Sequence, residues 1–317
     1  MRVTTRLLCL GASVLLAVAG QAGTAGARGL PDTYVVSRDP GILPEGIAVE
    51  RDGTMYVSSD GTGRLFRGHV GDPELRPFAA RGVDDRTGTL GVRTDHRGRV
   101  HSVGGASLTV HDRSGRLLAS RTAQDGPLGA ADLNDLVITE DAVYVTDWAN
   151  PVVHRAELRH GRPGPLRPWL DIRGASPRFP AQYWLLNGIV ADRAGETLLV
   201  ASNGTEALWR VDTASRSVEQ VRLGGESFGA DGMVLRGRTL YAVLNYGAPH
   251  GVYVAELSED LREGEVRHRI TGERLDLPTT LARHGCRLYV VNSQLDDPPG
   301  EPPYTVSAFA DPTCPQD

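Results

Sequence analysis

Apolar and polar positions along this chain alternate in short bursts, and the bursts recur. Four segments share one layout: PEGIAVERDGTMYVSS from position 44, DLNDLVITEDAVYVTD from 132, LLNGIVADRAGETLLVAS from 185 and GADGMVLRGRTLYAVLN from 229. Each holds an oxygen-bearing side chain near its start (Glu45, Asn134, Asn187, Asp231). A short apolar strand, a tight polar turn and a second strand follow. Weaker copies begin near Leu90 (LGVRTDHRGRVHSVGG) and Thr279 (TLARHGCRLYVVNS), so the start points run 45, 90, 134, 187, 231 and 279. Alternation with period two over a few residues is the mark of a half-buried strand. A repeat of roughly 40–50 residues carrying about four strands is the mark of a propeller blade. Six copies predict an all-β, six-bladed β-propeller with four strands per blade.

The expected inner strands are 45–50, 90–95, 134–139, 187–192, 231–236 and 279–284, each followed by three more. The sixth copy lacks a fourth strand at its C-terminal end. The alternating segment TYVVSR (33–38) can supply it, so that an N-terminal strand closes the ring and no pairing edge is left open. Turn chemistry agrees. Asp52-Gly53, Arg97-Gly98, Ala194-Gly195, Arg236-Gly237 and His284-Gly285 all fall between first and second strands, where a residue free to take a left-handed conformation is wanted. Two connections are long, 171–185 and 293–303, as lids or binding loops often are.

The first 27 residues have a different character. Arg2 and Arg6 precede the apolar run LLCLGASVLLAVAG, and Ala25-Gly26-Ala27 offers small residues for cleavage. This is the layout of an export signal, of bacterial type. The expected organisation is a signal peptide over 1–27 and the propeller over 28–317, with the protein secreted. No later apolar run reaches the ~18 residues of a membrane span, so no stable membrane insertion is expected. Formal charge is −5 for the whole chain and −7 once Arg2 and Arg6 are removed. An acidic surface argues against a nucleic-acid partner. All 34 basic residues are arginine, which excludes lysine Schiff-base chemistry. Beyond the signal, two cysteines remain, Cys286 and Cys314. An even pair in an exported chain points to a disulfide, here tying the C-terminal tail to the sixth blade.

In a propeller, equivalent positions converge on one central channel. Glu45, Asn134, Asn187 and Asp231 then become a single cluster of oxygens at one mouth. Two carboxylates and two amides, with no His or Cys at equivalent positions, suit one hard divalent cation. Ca²⁺ comes first, with Mn²⁺ and Mg²⁺ as alternatives and Zn²⁺ a poorer one. The plainer reading is a channel lined with polar residues for water alone. The loops after the second strands should rim the same mouth: Ser59-Asp60, Asp147-Trp148, Ser202-Asn203, Asn245-Tyr246 and Ser293-Gln294. Trp148 and Tyr246 are expected as substrate walls, and His250 as a proton-shuttling rim residue. Tyr183 and Trp184 sit where a lid would. Gly225-Glu226-Ser227-Phe228-Gly229 matches G-x-S-x-G, but that motif needs a strand-to-helix turn, and the residues after it alternate as a strand. Asn203-Gly204-Thr205 matches a glycosylation acceptor, a three-residue pattern common by chance.

With these residues in place, the chain resembles the regucalcin (senescence marker protein) and gluconolactonase family, and more distantly paraoxonase and diisopropylfluorophosphatase. The resemblance spans nearly all of residues 35–310. It implies a six-bladed propeller with a central Ca²⁺ or related ion. Onto this chain it carries the metal Glu as Glu45 in PEGIA, the metal Asn as Asn187 in LLNGIV, and the Asp that is both ligand and proposed base as Asp231 in GADGM. Asn134 in DLNDLV is a ligand in some branches and a substrate residue in others. The pattern departs in three places. Asp132 stands where regucalcin has a sugar-binding Arg. The Gly104-Gly105 region stands where paraoxonase has a catalytic His. Gly46 stands where paraoxonase has an acidic residue for a second ion, and Asp135 alone does not restore that site. The resulting expectation is a secreted, divalent-metal-dependent hydrolase of lactones or related esters with Asp231 as the catalytic residue. The alternative is a non-catalytic, metal-stabilised propeller that binds a ligand at its rim. Oligomeric state is left open.

Overall fold

A computed structural model describes residues 29–79, 88–175, 185–246, 249–296 and 299–315. The expected signal segment and the residues Tyr183 and Trp184 lie outside the described residues. Among those described there is no α-helix, only a single 3₁₀ turn at Ile172–Ala175. No helix is long and apolar enough to cross a membrane.

The strands form six antiparallel sheets. The first blade is Pro44–Val49, Thr54–Ser59, Leu65–His69 and Arg76–Ala79. The second is Val92–Thr94, Val100–Gly104, Ser107–His111 and Leu117–Thr122. The third is Leu133–Ile138, Ala142–Asp147, Val152–Arg159 and Arg167–Asp171, and a two-residue strand, Arg162–Pro163, also pairs with Val152–Arg159. The fourth is Leu186–Ala191, Thr197–Ser202, Ala207–Asp212 and Val218–Gln220. The fifth is Met233–Arg236, Thr239–Leu244, Gly251–Leu257 and Gly264–Ile270. The sixth is Pro278–His284, Arg287–Asn292 and Tyr304–Ala310, completed by Thr33–Ser37 from the other end of the chain.

The expected six blades and the closing strand are therefore present. Thr33 faces Ser307 and Tyr34 faces Val306 across the closure. Tyr34 packs edge-on against Tyr289 at 5.6 Å between ring centroids, and its hydroxyl donates to the Val70 carbonyl of the first blade. Cys286 and Cys314 are bonded, with Cα atoms 5.8 Å apart, within the span a disulfide requires.

The apolar pattern follows depth in the blade. Second strands are covered on both faces by neighbouring blades. Thr54–Ser59 and Thr197–Ser202 are buried at every position, and their apolar runs (MYV, LLVA) scarcely alternate. Outer strands such as Gly264–Ile270 are largely exposed and carry charge (GEVRHRI). Between blades lie apolar layers. Leu199 and Ala201 of the fourth blade, for example, share a cluster with Ala242 and Tyr253 of the fifth. All five glycines anticipated in first-to-second-strand turns (53, 98, 195, 237 and 285) have positive φ, between 57° and 87°. L-residues rarely adopt that region.

Candidate metal centre

The inner strands of four blades carry an irregularity at the same place. Strand register shifts between Pro44 and Ile47, Leu133 and Leu136, Leu186 and Ile189, and Pro278 and Leu281. In three of these Glu45, Asn134 or Asn187 lies inside the shift. Such bulges release side chains from the alternation of a strand and re-aim them. Asp231 comes just before Met233–Arg236, its N–H bonded to the Val243 carbonyl.

Neighbouring blades hold these residues together. The Glu45 carbonyl accepts from Thr279 Oγ1 at 2.8 Å. The Asn134 carbonyl accepts from the Gly91 N–H. The Asn187 carbonyl accepts from Thr146 Oγ1 at 2.7 Å. Close approach explains the glycines that follow three of the four oxygen-bearing residues. A Cβ on Gly188 would stand 2.0 Å from the Asp231 carbonyl oxygen. One on Gly46 would stand 2.4 Å from the Leu90 carbonyl oxygen, and one on Gly232 would stand 2.6 Å from Thr280 Cα.

Glu45, Asn134, Asn187 and Asp231 line one cavity of about 320 Å³ together with Asp60, Asp132, Trp148 and Tyr246, among others. They are 4%, 7%, 2% and 4% exposed. Despite that burial, Glu45 Oε2, Asn134 Oδ1, Asn187 Oδ1 and Asp231 Oδ1 have no hydrogen-bond partner among the described residues. Buried polar atoms are almost always paired, and each unpaired one costs roughly 1–3 kcal/mol. Four unpaired oxygens from four separate blades in one cavity are what a cation would satisfy, and the donor set fits a hard divalent ion. Among the described residues no cluster of three or more His, Cys, Asp or Glu side chains is disposed to hold a metal; half of this set is amide.

Two asparagines orient the set. Asn245 Nδ2 donates to Asp231 Oδ2 at 2.6 Å and to the Pro278 carbonyl at 2.9 Å, leaving Asp231 Oδ1 open. Asn187 Nδ2 donates to Asn203 Oδ1 at 2.9 Å, and Asn203 Nδ2 donates in turn to the Gly229 carbonyl at 2.7 Å. The Asn187 amide nitrogen is thereby engaged, and its oxygen is left without a partner. Asn203 and Asn245 were expected at the rim, but not as anchors. The sequence signal was an Asn directly after the second strand in both the fourth and the fifth blade.

Charge accumulates without the ion. Burial, reinforced by the Asp231 and Asp135 carboxylates, pushes the Glu45 carboxyl well above its usual range. Burial also raises Asp231, to about 7, against the hydrogen bond from Asn245. Burial raises Asp60, and raises Asp132 with Asp147 and Asp60 adding to the effect. Asp135, next to Asn134, is buried and paired with Arg93 at 2.8 Å. A guanidinium therefore already occupies the carboxylate considered for a second ion.

The expected wall residues Trp148 and Tyr246 both line the cavity, with ring centroids 6.2 Å apart. Burial, with Asp231 and then Glu45 adding to it, pushes the Tyr246 phenol up to about 12. His250 is exposed and is not part of the cavity lining. Ser227 lies in a larger surface cleft of about 1020 Å³ between outer strands of the fourth and fifth blades. Its Oγ donates to Glu206, in a loop rather than at a strand-to-helix turn.

No protein-family profile matches the chain, and no curated protein matches it by sequence. Solved structures do. The major allergen Mala s 1 of Malassezia sympodialis superposes with a TM-score of 0.65 at 15% identity, covering 88% of this chain and 96% of that one. XC5397 of Xanthomonas campestris, described as a gluconolactonase, gives 0.59 at 17%, covering 90% and 99%. The calcium-binding protein regucalcin of Agrobacterium tumefaciens gives 0.59 at 15%, covering 89% and 94%. At such identities the likeness establishes the six-bladed fold, which carries many functions.

Proposed function

We propose that this protein is a secreted, divalent-cation-dependent hydrolase that opens lactones or related esters. The observation that carries the reading is the set of four unpaired oxygens, one from each of four blades, in one cavity. The gluconolactonase and the calcium-binding regucalcin among the structural neighbours support it.

Glu45, Asn134, Asn187 and Asp231 would hold the cation. Bound there, it supplies Lewis-acid polarisation of a substrate carbonyl. The chain's own residues do the rest. Asn245 grips Asp231 Oδ2 and orients the carboxylate, which takes a proton from the attacking water. That water's oxygen bonds to the carbonyl carbon, the ring or ester C–O bond breaks, and the proton passes from Asp231 to the leaving oxygen. Trp148 and Tyr246 confine the substrate beside these groups. The volume, about 320 Å³, suits a small molecule. The test is a panel of lactones and aryl esters assayed with chelator and after return of Ca²⁺, Mn²⁺, Mg²⁺ or Zn²⁺. Hydrolysis lost to chelator and restored by one ion supports the reading. Hydrolysis indifferent to chelator, or none with any ion, overturns it.

A further inference from the structure

The described residues lining the cavity carry more carboxylates than a divalent cation can balance. Glu45 and Asp231 together offset such an ion. Asp60 and Asp132 line the same space, and among the described residues neither side chain has an ion-pair partner. Among the described residues no Arg or His lines the cavity. Asp60 packs closely against Gly88, where an added Cβ would stand 2.4 Å from its Oδ1. Across the opening, the rings of Trp148 and Tyr246 stand 6.2 Å apart at 44° to each other, two walls of an incomplete aromatic box. Ring faces attract cations, most strongly where water is excluded. The buried, unpaired amide oxygens of Asn134 and Asn187, assigned above to the ion, line the same space, so ion and organic ligand would share one cavity.

We infer that the cavity selects an organic cation, and that its substrate is a lactone or ester bearing an ammonium group, held between Asp60, Asp132 and the Trp148–Tyr246 pair. The inference rests on the reading of this cavity as a substrate site and deepens it. Two carboxylates without an ion-pair partner among the described residues disfavour aldonates, phosphates and other anions at close range, whereas an ammonium group restores balance.

The experiment separates binding from turnover. In Ca²⁺-saturated protein, choline and its uncharged isostere 3,3-dimethyl-1-butanol are titrated calorimetrically. Choline should bind at least about tenfold more tightly. The preference should fall below about threefold in an Asp60→Asn/Asp132→Asn variant and weaken in Trp148→Leu, while Asp132→Glu retains it. In parallel, kcat/KM is compared for α-amino-γ-butyrolactone and γ-butyrolactone, with the amino compound favoured in the same order across the variants. Equal binding of choline and its isostere by the wild-type protein overturns the inference, and so does a preference that survives loss of both carboxylates. A choline preference without hydrolysis of any ester would leave the cation site standing and remove the hydrolase. Hydrolysis of neutral lactones without a choline preference would do the opposite.

Discussion

Two buried carboxylates at opposite ends of the inner strands behave in contrary ways. Asp95 ends the inner strand of the second blade. It accepts from the N–H groups of Arg97 and Arg99, from Arg99 Nε and from His101 Nε2. Burial is the largest influence on it and acts to raise it, but these bonds together hold it well below the usual carboxylate range. Asp231 begins the inner strand of the fifth blade. It receives one strong bond, from Asn245, and burial raises it to about 7. The fold evidently can saturate a buried carboxylate when structure is its only task. Where it leaves one half-saturated, beside three other unpaired oxygens, the proposed cation would supply the missing partner. Burial alone does not separate the two cases; the inventory of donors does.

The comparison breaks most sharply by mutation. Asp231→Asn keeps shape and one oxygen but loses the charge and the base. Hydrolysis should fall by about 10²–10⁴, with the circular dichroism spectrum unchanged. Equal losses of ion affinity and turnover would reduce Asp231 to a ligand. Asp95→Ala should cost about 3–5 kcal/mol of stability by stranding its Arg99 and His101 partners, read as a lower denaturant midpoint. Activity per folded molecule and the response to Ca²⁺ should persist. Added Ca²⁺ at about 100 times its dissociation constant should stabilise the wild-type protein by about 2.7 kcal/mol. Glu45→Gln should shrink that gain at the same concentration, with activity partly rescued by excess ion.

The smallest effect is in pH. Without ion, the folded Asp231 holds a proton up to about 7, whereas the unfolded chain releases it near about 4. The folded state binds more protons across that window, so this group's contribution to stability falls as pH rises through it. Asp95 works the other way. Its contribution is complete above the ordinary carboxylate range and is lost as pH falls through and below it. Denaturant titrations of the ion-free protein between these limits should show the Asp231 slope, and saturating Ca²⁺ should flatten it. Calorimetry at pH 6 in two buffers of different ionisation heat should detect protons released as the ion binds.

The repeat made much of this readable in advance. A spacing of 44–53 residues fixes the phase of each copy, and phase is what places Glu45, Asn134, Asn187 and Asp231 at one mouth. The turn glycines and the closing strand were legible for the same reason, because each is a local rule repeated around a ring. What could not be read depends on which side chain meets which, within a blade or between blades. The pairing of Asn203 with Asn187, and of Asn245 with Asp231, spans 16 and 14 residues and two strands. The pairing of Arg93 with Asp135 crosses from one blade to the next. His250 lies in a loop whose course no periodicity fixes, and it stays outside the cavity.

The closing strand has a consequence in time. Thr33–Ser37 is made before every other described strand, and its partner Tyr304–Ala310 after them. Until those last residues emerge, the sixth blade lacks an edge and the ring stays open. Translation alone therefore cannot complete this fold step by step, as it can a linear array of repeats. The final contact waits for every blade, and a chain cut short before Tyr304 leaves its first strand only its contacts to the first blade, at Val70, Pro73 and Leu75.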